Sequence, residues 1–104
     1  MNLTLNKKNN FSCGQINDIG LARLSEGLQG LRSLKNIKIG FPMCNQLTNE
    51  SFYYLSQGLM TNICLQSVDL DFDGCDKIDN IALINVSQLL KRLVFLENFS
   101  MNLN

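Results

Sequence analysis

Four cysteines, nine acidic side chains and no histidine set the chemistry open to this 104-residue chain. Zinc sites favour close pairs such as Cys-x-x-Cys, with histidine in the mixed sites. Here Cys13, Cys44 and Cys75 stand 31 residues apart and Cys64 stands alone, so no such pair exists. One small apolar thiol per interval suits packing better than ligation. Free thiols are expected, with Cys64 a partly buried filler near a return loop. Nucleophilic catalysis needs a base beside the serine or cysteine, and none is evident. No glycine-rich loop precedes a helix to hold phosphate. The residues therefore read as a non-enzyme, with no catalytic residue, no metal and no cofactor.

The run Asp69-Leu70-Asp71-Phe72-Asp73-Gly74 matches the opening of a calcium-binding EF-hand loop, including glycine at the sixth place. The match fails further on, with Asp76 at the eighth place and Asn80 instead of Glu at the twelfth, and no helix precedes it. Strand alternation accounts for the same residues, with Leu70 and Phe72 inward and the aspartates outward.

Nine basic and nine acidic side chains give zero formal net charge. That balance argues against nucleic acid and against an anionic membrane as partners. No run approaches the 18 or so apolar residues of a membrane span. Residues after Met1 lack the charged and apolar regions of a signal peptide, so a cytoplasmic, reducing location is expected. Asparagine occupies 14 positions, and Asn-x-Ser/Thr triplets begin at Asn2, Asn10, Asn49, Asn85 and Asn98. Glycosylation requires secretion, so these read as chance matches in an Asn-rich chain.

The cysteine interval is a period of the whole chain. The same offset of 31 links Ile16, Leu47 and Ile78; Leu21, Phe52 and Leu83; Leu24, Leu55 and Val86; and Leu28, Leu59 and Leu90. It also links Ser25, Ser56 and Ser87; Leu34, Leu65 and Leu96; Ile37, Val68 and Phe99; Ile39, Leu70 and Met101; and Phe41, Phe72 and Leu103. The first half of each unit alternates apolar and polar residues, as a half-buried strand does. The second half spaces apolar residues by three and four, as a helix does, and Asn17-Asp18, Thr48-Asn49 and Asp79-Asn80 supply capping side chains before each helix. Strands are expected at about 3–6, 37–41, 68–72 and 99–103, and helices at about 18–30, 49–60 and 80–93. The first strand, Leu3 and Leu5, comes three residues early, which implies a small polar bulge at Asn6-Lys7-Lys8-Asn9-Asn10. Residues 1–104 form a single domain, with units at about 3–36, 37–67 and 68–98 and a final strand at 99–104.

Leu34-x-x-Ile37-x-Ile39, then Cys44 and Leu47, resembles the leucine-rich repeat, and Asn17-Asp18-Ile19-Gly20-Leu21 with Leu24-Ser25-x-x-Leu28 is similar to the helix opening of its ribonuclease-inhibitor-like class. The interval is longer than the family's usual span of about 20–29 residues. The resemblance implies an α/β solenoid, a short horseshoe segment with parallel strands on the concave face and helices on the convex face. It also implies partner binding through exposed strand residues, without catalysis.

Strand positions between the inward residues are Thr4, Lys38, Gly40, Asp69, Asp71, Ser100 and Asn102, and Asp73 and Asp76 extend the acidic side. Of these, Lys38, Asp69, Asp71, Asp73, Ser100 and Asn102 are the candidate partner-binding residues. A local acid cluster in a neutral chain fits a protein partner with a basic surface. The chain opens and closes on strands, so uncapped ends invite end-on association or membership of a larger assembly. The expected function is a protein-protein interaction module or scaffold. The alternative is a substrate-recognition segment of a larger enzyme complex, such as a ligase adaptor or kinase-linked protein.

Overall fold

The computed structural model describes residues 1–6 and 16–103. Within them the elements run β1 (Asn2–Asn6), α1 (Asp18–Leu28), β2 (Asn36–Gly40), α2 (Asn49–Leu59), β3 (Ser67–Asp71), α3 (Ala82–Arg92) and β4 (Asn98–Asn102). The class is α/β. Four parallel strands lie side by side in chain order, β1-β2-β3-β4, and each helix packs on its neighbour in sequence.

The register follows the period. Ile37 pairs with Val68 and Val68 with Phe99, while Ile39 pairs with Leu70 and Leu70 with Met101. Asn2 pairs with Asn36, an offset of 34. Since α1 and α2 begin 31 residues apart, at Asp18 and Asn49, the three extra residues fall between β1 and α1. That agrees with the insertion read from the sequence. The bulge itself, past Asn6, lies outside the described residues. β2, β3 and β4 start and stop one residue earlier than their alternation suggests, with Phe41 and Phe72 already in the turn, while β1 starts one residue earlier and ends at Asn6 as expected.

Inward strand residues Ile37, Ile39, Val68 and Leu70 join Leu21, Leu28, Phe52, Leu55 and Leu59 of the helices in one buried cluster. Phe72 anchors it at the turn end, with its ring 4.8 Å from Phe52 and 6.3 Å from Phe41. Buried aromatic pairs at such spacing add to the area they remove from water.

α3 departs from its two predecessors. The sequence placed its start at Asn80 and its buried stripe at Leu83, Val86, Leu90 and Leu93. The helix begins at Ala82, and the buried residues are Ala82, Val86, Leu89 and Leu93, while Leu83 and Leu90 are exposed. Ala82, Leu83 and Ile84 donate to the carbonyls three residues back, so a 3₁₀-type turn leads into the helix. Leu89 also fills the place that Gly58 holds in α2, and Leu90 is turned outward.

Candidate functional site

Outward strand residues form rows across the sheet, because parallel partners lie about 4.8 Å apart and alternate residues share a face. The register lines up Thr4, Lys38, Asp69 and Ser100 as one row and, through their backbones, Asn6, Gly40, Asp71 and Asn102 as the next. Of the candidate residues, Lys38, Asp69 and Ser100 therefore stand side by side, as do Asp71 and Asn102. A shallow cleft of about 220 Å³ opens over the β1–β3 part of this face, lined by Asn2, Thr4, Asn36, Lys38, Ser67 and Asp69 together with Leu3 and Ile37.

The charges in the cleft are available. Lys38 is exposed and Asp69 half-buried, and among the described residues neither makes an ion pair or a side-chain hydrogen bond. Asp71 is different. Its Oδ1 accepts the backbone N–H of Asp73 at 3.1 Å, so its half-buried carboxylate holds the turn after β3. Asp73 is half-buried in that turn, and its carbonyl accepts the Met43 N–H at 2.7 Å, tying one turn to the previous one. Asp76 is exposed beyond it. Gly40 is buried, so it offers a partner no surface of the kind expected from its strand position.

A third row was missed. Asn2, Asn36, Ser67 and Asn98 pair in register two residues before the first row, and Asn36 Nδ2 donates to Asn2 Oδ1 at 2.7 Å. The same alternation carried two residues toward the N-terminus of each strand would have found it. Its members precede the first apolar residue of each strand, so they fall one residue outside the strand bounds that the alternation predicts.

Polar side chains also link the helix entries. Asp18 accepts from the backbone N–H of Thr48 at 2.9 Å and from its hydroxyl. Asn49 and Asp79 exchange two hydrogen bonds, at 2.9 and 3.0 Å. Asp79 Oδ1 also accepts the Ile81 N–H at 2.9 Å. These donors favour the ionised form and hold the Asp79 carboxyl below its usual value, the Ile81 N–H first. At the far end of the helices Asn62 is buried, and its amide donates to the carbonyls of Leu28 and Leu31 at 3.0 and 2.8 Å.

Cys44 and Cys75 are buried at the strand-to-helix turn, where the period placed them; Cys13 lies outside the described residues. The Cys75 thiol donates to the Phe41 carbonyl at 3.2 Å, and burial pushes its pKa up. Two expectations are corrected. Cys44 is disulfide-bonded, not a free thiol like Cys64 and Cys75. Cys64 is exposed instead of partly buried, because the return loop carrying it and Ile63 projects away from the core. Among the described residues no three acids or cysteines are placed to hold a metal ion, and no helix is long and apolar enough to cross a membrane.

No family model, no curated protein and no solved structure matches the chain.

Proposed function

We propose that the chain is a non-catalytic protein-interaction module, built as a short leucine-rich-repeat solenoid whose strand face receives a protein partner. The observation that carries this reading is the cleft over β1–β3, where Lys38 and Asp69 stand next to each other with no ion pair among the described residues. Charged groups left available on a rigid strand face favour recognition of a partner with complementary charge. Lys38 and Asp69 are one charge of each sign in the cleft, and Asp71 and Asp73 add acidic character at the turn beside it, which favours a partner presenting basic side chains to that side. The recurring 31-residue interval within the chain supports the solenoid, since each unit would bury its apolar side against the next.

The test is affinity for a partner captured on the intact chain. Asp69→Asn is expected to weaken binding about tenfold and to flatten its salt dependence, in the manner of a charge at an interface rim. Lys38→Gln should change affinity through the same cleft. Glu50→Gln, on the exposed helix side, should change nothing. Unchanged affinity in both Asp69→Asn and Lys38→Gln would overturn the reading.

A further inference from the structure

Two sets of equivalent helix positions behave in opposite ways at the two ends of the molecule. Leu21 and Leu28 in α1 are 2% and 1% exposed, and Phe52 and Leu59 in α2 are 1% and 0% exposed, yet Leu83 and Leu90 in α3 are 44% and 39% exposed. The other set runs in reverse. Ser51 and Gly58 in α2 and Ala82 and Leu89 in α3 are buried, while Gly20 and Gly27 in α1 are exposed. The first set is the side of a helix that faces the following unit, and the second is the side that faces the preceding one. Each end therefore carries half of the contact that is complete inside.

The inner contact shows what fits. Gly58 lies on Ser25, so close that a Cβ there would come within 2.7 Å of the Ser25 carbonyl oxygen and 2.9 Å of its Cβ. The equivalent of Ser25 on α3 is Ser87, which is exposed. The equivalent of Gly58 on α1 is Gly27, where a Cβ would meet no described atom within 4 Å. We propose that a second copy of this chain docks head to tail, its α1 seating Gly27 on Ser87 between Leu83 and Leu90, and its β1 pairing in parallel with β4.

Three further features match. Asp18 bonds to Thr48, the cap of α2, and Asn49 to Asp79, just before the turn that leads into α3, so each unit reaches for the helix entry of the next. Asn80 is the third member of that series; it is exposed, and among the described residues its amide makes no hydrogen bond. In the docked pair it meets Asn17, the cap of α1. Asn98 of β4 takes Asn2 as its register partner, as Asn36 does within the sheet. Lys91 lies in the groove between α2 and α3 beside Gln57 and Gln88, whose α1 equivalent is Glu26. The contact thus sets Lys91 against a glutamate of the second copy. Such a contact joins two different surfaces, so it does not close on itself and continues into longer stacks. It leaves the strand face open and is independent of the partner proposed above.

Sedimentation velocity on the intact chain tests this. The wild type is expected to grow beyond a dimer as concentration rises. Gly27→Arg blocks one end by placing a charge where the inner contacts hold Gly58 and the apolar Leu89, and Leu83→Asp with Leu90→Asp blocks the other; all three positions are exposed, so circular dichroism should stay native. Each blocked variant alone is expected to sediment as a monomer, and an equimolar mixture of the two as a dimer and nothing longer. A wild type that stays monomeric at millimolar concentration overturns the proposal. So does association that survives Gly27→Arg, or a mixture that forms no dimer.

Discussion

Gly58 of α2 rests directly on the backbone of Ser25 in α1, with room for no side chain between them. Alanine at 58 gains about 1 kcal/mol in helix propensity but must push back a carbonyl and a Cα, which no rotamer change relieves. Overpacking of this kind costs about 1–3 kcal/mol, so the packing term wins. Gly58→Ala is expected to lower the urea midpoint at unchanged slope. Gly27→Ala, on the open side of α1, should raise it by the propensity gain alone in chain dilute enough to be monomeric.

Met43 and Gly74 occupy equivalent places after β2 and β3, and both have positive φ, 61° and 74°. Only glycine takes that conformation without strain. Met43→Gly is therefore expected to stabilise the fold by about 1 kcal/mol. Gly74→Ala should destabilise it by a similar amount through φ. A Cβ at 74 would also press on the Met43 sulfur at 2.3 Å, which the flexible side chain can move to relieve. In a double-mutant cycle, coupling between Met43→Gly and Gly74→Ala should accordingly be small beside either single effect.

Asn62 stands where its equivalents are Leu31 and Leu93. Its amide reaches two carbonyls of the preceding unit, but Leu28 and Leu31 also accept from Leu31 N and Leu34 N. Asn62→Leu thus removes bonds without leaving either carbonyl bare. Asn62 Oδ1 is buried without a partner among the described residues, so leucine also removes an unsatisfied acceptor; the two effects offset, and the change read from chemical denaturation is expected to stay below about 1 kcal/mol.

Asp79 has a folded pKa below its unfolded value. Its contribution to stability is present above the unfolded pKa and is lost as pH falls through the folded one. The stability gap between the wild type and Asp79→Ala is expected to be widest near neutral pH and to narrow in acid. A gap independent of pH would mean that the carboxylate charge plays no part in holding the entry to α3.

The two free thiols should separate by exposure. Cys64 is expected to react with a thiol reagent in the native chain, and Cys75, buried with its pKa raised, only on unfolding. Peptide mapping after timed labelling distinguishes them.

Much of this arrangement is legible in the residues themselves. The offset joining Ile37, Val68 and Phe99 is also the pairing register of β2, β3 and β4, because equivalent residues of successive units lie next to each other across the sheet. Lys38 and Asp69 became neighbours for the same reason. The legibility ends where neighbours decide. Leu83 and Leu90 share the pattern of Phe52 and Leu59 but no described helix covers them, and Leu89 takes the inner place. Gly40 follows strand alternation and is still buried. The outward sense of Asp71 was readable, but its hydrogen bond to the turn depends on a backbone N–H that composition does not reveal.

The pairing offsets carry a kinetic consequence. Every strand pair closes a loop of 31 or 34 residues, and β1 never meets β4. Loop-closure entropy is thus nearly equal at each step, and no step must bring the chain ends together. Assembly can begin at any one pair of strands and spread in either direction, so the folding rate should depend on the most stable adjacent pair and little on how many strands follow it.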